Sequence, residues 1–138
     1  MRIFLDANIL FSAAKSDGAI RRLLQLLQAQ GHILVADGFV VEEARRNLAR
    51  KSPGTPLEDL ARLLTVVEVE TTGTDLPNEE AWLDWLAPKD RPVLAAAARL
   101  GCAALITGDR THFESGYGKS FAGVLLLSPA MAASTLLA

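Results

Sequence analysis

"DRPVLAAAARLGCAALITGD" runs from Asp90 to Asp109, and its two halves read differently. The first, 90–101, predicts a helix, with Asp90 at the N-cap, Pro92 in the first turn and Gly101 at the end. The second opens on "CAALIT" (102–107), an apolar run without in/out alternation, as in a strand covered on both faces. A polar Thr-Gly-Asp closes it.

The rest of the chain repeats this alternation. Residues 2–6 read as a strand, 19–30 as a helix ended by Gly31, 32–37 as a second strand and 38–51 as a second helix, broken by "SPGTP" at 52–56. A short helix over 57–64 leads into a third strand, "TVVEVE", at 65–70. Residues 71–78 read as a loop and 79–87 as a short helix. After the strand at 102–107, "GVLLLSP" (123–129) is a fifth strand, and 130–138 a short terminal helix. Strands that are near-continuous apolar runs, alternating with helices, predict a three-layer α/β/α sandwich around a central parallel five-stranded sheet.

At 138 residues, half of them hydrophobic and 22% charged, the chain is expected to form a single domain over 1–138 with a full core. Cys102 has no partner cysteine and sits in an apolar stretch, so a plain buried thiol in a reducing cytoplasm is expected. Asp6 interrupts the first apolar run, so no signal peptide is expected there. No stretch approaches the ~20 apolar residues of a membrane helix. A net charge of −2 gives no whole-molecule bias toward nucleic acid, so any such surface must be local.

Sites in parallel α/β sheets lie outside the carboxyl ends of the strands. Of the sixteen acidic residues, three are expected to converge there, and a fourth, Asp90, reaches the same edge if its helix starts on that side. Asp6 ends the first strand, Glu43 lies about two turns into the following helix, Asp90 starts the helix before the fourth strand, and Asp109 follows that strand. Each has a plainer reading: an Asx turn for Asp6 with Asn8, a solvated helix face for Glu43, a cap for Asp90, a turn for Asp109. Their coincidence at one edge is what suggests metal ligands. Glu43 lies on the shoulder of the buried stripe set by Val40, Val41, Ala44 and Leu48, one turn before Asn47; Glu42, further toward solvent, is the alternative. Carboxylate oxygens suit Mg²⁺ or Mn²⁺ rather than zinc, and such ions activate water against a phosphodiester. Asn8 and Thr107 are candidate supports that orient the acids. There is no His-Glu-x-x-His, no cysteine pair and no phosphate loop with a lysine. His32 is expected at a strand start with no role, and His112 beside Asp109 as a loop or substrate contact.

In "IFLDANIL", "VVEEARRNL", "KDRPVLAAAARLGCAALITGD" and the following "HF", the chain resembles the PIN-domain nucleases, in order and spacing over residues 3–113. The resemblance implies a metal-dependent endoribonuclease that cleaves RNA with a metal-activated water. It places the acidic ligands at Asp6, Glu43, Asp90 and Asp109, with Asn8 and Thr107 as polar support. Single-domain prokaryotic PIN proteins of this type are similar to VapC-type toxins. The partners so implied are an RNA substrate, a small antitoxin protein and a second copy in a homodimer. Arg45, Arg110 and His112 are candidate RNA contacts, together with Lys15, Arg46 and Arg91. The rival readings are an inactive PIN-like module that binds RNA or protein, a receiver-like domain and a haloacid-dehalogenase-like phosphatase. The last expects Asp-x-Asp-Gly-Thr where this chain has Asp-Ala-Asn-Ile-Leu.

Overall fold

Ile3, Phe4 and Leu5 are fully buried, and they form the central strand because neighbours pair on both sides of it. In the computed structural model, which describes residues 1–52, 54–71 and 80–138, β1 (Arg2–Leu5) runs parallel to β2 (Ile33–Asp37) and to β4 (Ala104–Ile106). Phe4 stands opposite Val35 on one side and Leu105 on the other. β3 (Glu68–Glu70) adds outside β2, and β6 (Val124–Leu127) outside β4, both parallel. The sheet order is β3-β2-β1-β4-β6-β5, with β5 (Ser120–Phe121) at the edge. The helices α1 (Ala7–Lys15), α2 (Ala19–Ala29), α3 (Gly38–Lys51), α4 (Thr55–Leu64), α5 (Arg91–Arg99), α6 (Arg110–Phe113) and α7 (Pro129–Leu136) connect and flank it. α1 packs on α2, α3 and α4.

The α/β reading holds, with differences in individual elements. A sixth strand, β5 (Ser120–Phe121), pairs antiparallel with β6 through a turn at Ala122 and Gly123, both at positive φ. Two residues carry no periodicity, so nothing marks this strand in the sequence. The third strand is shorter than 65–70. Thr65, Val66 and Val67 donate their amides back to Arg62, Leu63 and Leu64, which extends the turn out of α4 before pairing begins. The stretch expected as a helix over 79–87 is a 3₁₀ turn at Ala81–Leu83. The loop at 71–78 and the first residue of that helix fall, beyond residue 71, outside the described residues.

The largest unanticipated element is α1. Asp6 is its N-cap, with extended backbone and a carboxylate that accepts the Ala7 amide. Ala7, Ile9, Leu10, Ala13 and Ala14 are all buried. A helix covered on most of its surface has no clean apolar stripe, so its run is hard to tell from a continuing strand. Cys102 is buried, and burial pushes its thiol up to about 11, in keeping with an inert core residue. His32 bridges the Met1 amino group (3.2 Å) and the Leu136 carbonyl (3.1 Å). Among the described residues, no helix is long and apolar enough to cross a membrane.

Candidate active site

The parallel register aligns the carboxyl ends of β1 and β4, and the polar residues begin there. The Asp6 amide still donates to the Ile106 carbonyl (3.1 Å), and the Thr107 amide to Leu127 (3.1 Å). Both residues are therefore fixed by the sheet ladder, and their buried side chains meet just past its end. Asp6 Oδ1 accepts the Ala7 amide at 2.7 Å. Oδ2 accepts the Thr107 hydroxyl at 2.7 Å and the Asn8 carboxamide nitrogen at 3.1 Å. Asn8 Oδ1 in turn accepts the Gly108 amide (2.7 Å), and Thr107 Oγ1 the Asp109 amide (3.2 Å). Asn8 and Thr107 thus tie the turn after β1 to the turn after β4.

Asp6 is only 5% exposed. Burial is the main reason its carboxyl is pushed up to about 6, helped by the Glu43 carboxylate and opposed by the donors Thr107, Ala7 and Asn8. Desolvation of the charged form outweighs the hydrogen bonds. At neutral pH Asp6 is an anion held in unfavourable surroundings.

β2 ends in Asp37, buried, whose side chain accepts the Val40 amide and starts α3. Residues four apart along α3 then share a face. Phe39, Glu43, Asn47 and Lys51 all line one cleft with Asp6 and Asn8. Glu42 is exposed and paired with Arg45 at 3.1 Å, away from that lining.

Asp90, Asp109 and His112 line the same cleft. Asp109 caps α6 by accepting the His112 amide (3.3 Å), and its Oδ2 lies 2.6 Å from His112 Nδ1. Asp90 is not the side-chain cap expected from its position. Its backbone is already helical (φ −98, ψ −16) and its carboxylate makes no capping bond; a capping residue needs extended backbone to turn its oxygen onto the following amides. Asp90 Oδ2 is buried and accepts no hydrogen bond among the described residues. It lies 3.8 Å from His112 Nδ1. One ligand atom each from Asp90, Asp109 and His112 falls within 4.8 Å of the others.

The donor set fits a divalent cation. A buried carboxylate oxygen without a donor is costly unless a positive charge satisfies it, and two carboxylates with one imidazole are a donor set that a divalent cation accepts. His112, read from the sequence as an RNA contact, belongs geometrically with the acids. Its i, i+3 spacing from Asp109 across a one-turn helix was the available signal.

The arginines are placed differently from expectation. Arg45 and Arg110 do not line the cleft, and each pairs with a neighbour on its own segment, Glu42 and Glu114. Arg91 Nε donates to the Leu83 and Leu86 carbonyls, holding the 3₁₀ segment. The cations that do line the cleft are Lys51 and Lys89.

A family profile described as PIN domain matches residues 2–111. No curated protein sequence matches at a significant level. Among solved structures, the chain is similar to VapBC2 from Rickettsia felis, bound to a promoter DNA fragment, with a TM-score of 0.67 at 18% identity over 93% of this chain and 98% of that one. It is similar to VapC20 of Mycobacterium tuberculosis, a Sarcin-Ricin loop cleaving toxin, with a TM-score of 0.59 at 22% identity over 86% and 98%. A toxin–antitoxin complex from Klebsiella pneumoniae gives a TM-score of 0.64 at 16% identity over 89% and 95%. At these identities the likeness is one of fold.

Proposed function

The chain belongs to the PIN-domain family, and on that premise we propose that it is a Mg²⁺- or Mn²⁺-dependent endoribonuclease. The observation that carries this reading is the lining of one cleft by Asp6, Glu43, Asp90 and Asp109, with Asp90 Oδ2 buried and without a donor. Asp6, Asp90 and Asp109 would hold the cation, with Glu43 and His112 at its margin. A bound divalent ion supplies positive charge that polarises a phosphodiester and makes water a better nucleophile near neutral pH.

The chain's own residues do the rest. Thr107 and Asn8 fix the Asp6 carboxylate so that it keeps one orientation. Asp109 engages His112 Nδ1 and so fixes the orientation of the imidazole, which lines the cleft. Glu43 keeps negative charge beside Asp6, which strengthens the preference for a cation. Attack by water on phosphorus, with the bond to the 3′ oxygen breaking, leaves a 5′-phosphate and a 3′-hydroxyl.

The likeness to toxins solved with their antitoxins supports a further part of the same reading. We place this chain as the toxin of a toxin–antitoxin pair in the cytoplasm, held inactive by a small partner protein. The test of the activity is incubation with single-stranded and structured RNAs, with Mn²⁺ or with EDTA, followed by end mapping. Cleavage should need the metal, and Mn²⁺ should raise the melting temperature by binding the native state. Undiminished activity in chelator, or 2′,3′-cyclic phosphate ends, would overturn the mechanism.

A further inference from the structure

The cleft extends beyond its acids. Along α3 the lining runs Phe39, Glu43, Asn47, Lys51, and from Glu43 to Lys51 is about 12 Å of helix at 1.5 Å per residue. At the Lys51 end stands Phe11 of α1. Its ring carries two ammonium groups, Lys51 Nζ from the cleft lining and Lys15 Nζ from just outside that lining, each 5.6 Å from the ring centre. The negative face of an aromatic ring attracts cations, so Phe11 gathers two like charges that would otherwise repel. No carboxylate pairs with either lysine among the described residues, whereas Arg45 and Arg110 are each neutralised by a glutamate. Two cations assembled on a neutral ring, with no carboxylate partner among the described residues, favour an anion supplied from outside.

At the other end Phe39 is 38% exposed and lines the cleft, which leaves an apolar ring open to it. The cleft holds about 570 Å³, the size of a small-ligand pocket. That volume has room for a single nucleotide.

The geometry points to a subsite for a single-stranded RNA segment flanking the scissile bond, in which Lys15 and Lys51, held on Phe11, grip backbone phosphate and Phe39 stacks an unpaired base. This rests on the ribonuclease reading above and deepens it. Stacking on aromatic side chains combined with a cationic track is how unpaired strands are held in general. A strand that remains paired offers phosphate to the lysines but no base face to Phe39.

The test is binding of a fluorescent mixed-sequence oligoribonucleotide, alone or annealed to its complement, in EDTA across a salt series. Cleavage by the parent in Mn²⁺ is measured in parallel. A Lys15→Ala/Lys51→Ala variant should bind the single strand roughly tenfold more weakly, and the slope of log affinity against log salt should shrink by about 1.4. Arg22→Ala/Lys119→Ala, which removes the same charge at exposed positions outside the cleft, should leave both near the parent. Phe39→Leu keeps an apolar side chain but loses the ring, and should weaken single-strand binding by roughly fivefold or more; melting curves confirm that each variant folds. An unchanged slope for the lysine variant, an equal loss in the control, or duplex binding as tight as single strand would each overturn the subsite. If the parent cleaves RNA in Mn²⁺ and the lysine variant binds like it, the subsite alone fails. If binding depends on the lysines but no metal-dependent cleavage occurs, the ribonuclease reading alone fails.

Discussion

Asp6 accepts three hydrogen bonds from the chain around it, while Asp90 Oδ2, lining the same cleft, is buried and accepts none. Both carboxylates are placed by regular structure, Asp6 by the end of β1 and Asp90 by the start of α5. The protein solves the burial problem on the Asp6 side with donors from two turns. On the Asp90 side it leaves an acceptor open beside Asp109 and His112. A preorganised acid and an undersatisfied one have different uses: the first fixes where a cation sits, and the second supplies much of the reason for a cation to bind.

The sharpest way to break this contrast is Asp90→Asn. A capping aspartate tolerates asparagine because the two cap about equally well, but here there is no capping bond to preserve. The variant should therefore melt within a few degrees of the parent in EDTA, lose most of the Mn²⁺-induced rise in melting temperature, and cleave RNA at least about a hundredfold more slowly, as expected when a group acting on developing charge is lost. Full metal-dependent cleavage by a folded Asp90→Asn protein would remove Asp90 from the site.

Asp6→Asn probes the other side, and its effect is on stability as well as activity. Burial raises the Asp6 carboxyl from 3.8 to about 6, so the folded state holds its proton more tightly than the unfolded chain does. The stabilisation this gives is fully present below the unfolded value. It is lost as pH rises through the folded value, and at pH 7.5 the ionised group is a net penalty. In chelator, the stability of Asp6→Asn relative to the parent should rise between about pH 4 and pH 7 and then level off. The full change is about 3 kcal/mol at most, since each tenfold difference in proton affinity between folded and unfolded chain is worth about 1.4 kcal/mol. Denaturant melts at several pH values measure it. A difference that stays flat with pH would mean that Asp6 is not strained. Activity should be lost in either case.

Much of this contrast was open to reading from the sequence, and the part that was not has physical causes. Helix 38–51 was legible to the residue because Gly38 follows a strand and "SPGTP" stops the run. The position of the acids at strand ends followed from the strand assignments, since a parallel sheet brings those ends to one edge. Whether Asp90 caps or stays open depends on its own ψ, which residue type does not set. The two-residue strand β5 depends on a turn through Ala122, a poor residue for positive φ, in place of the Asn-Gly that would announce it. The pairing of Arg45 with Glu42 and of Arg110 with Glu114 follows i, i+3 and i, i+4 spacing, a signal present in the sequence that the reading of both as RNA contacts did not use. The gathering of Lys15 and Lys51 on Phe11 joins residues of α1 and α3, and only helix packing reveals it.

The smallest effect comes from the joint between the two sides. Thr107 is fully buried; its hydroxyl donates to Asp6 Oδ2 and accepts the Asp109 amide. Thr107→Val keeps the shape and removes both functions, together with the bond the hydroxyl accepts from the Asn8 carboxamide nitrogen. Asp6 then loses one of its three donors, and the Asp109 amide loses an acceptor. Tyr117, whose hydroxyl donates to the Thr107 carbonyl at 2.7 Å, still holds the backbone, so the turn should stay in place and the cost should be local. Leaving buried polar groups unsatisfied costs about 1–3 kcal/mol, and with one opposing donor gone the Asp6 carboxyl should move further above its ordinary value. The expected outcome in EDTA at pH 7.5 is a loss of roughly 1–3 kcal/mol in a denaturant melt, with part of it recovered at pH 5, where Asp6 can take up its proton. Added Mn²⁺ should recover some of the loss as well, since a cation on Asp6 compensates for the missing donor. If Thr107→Val cost the same at pH 5, at pH 7.5 and in saturating Mn²⁺, Thr107 would be supporting the turn alone, and the hydroxyl would have no part in holding the Asp6 charge.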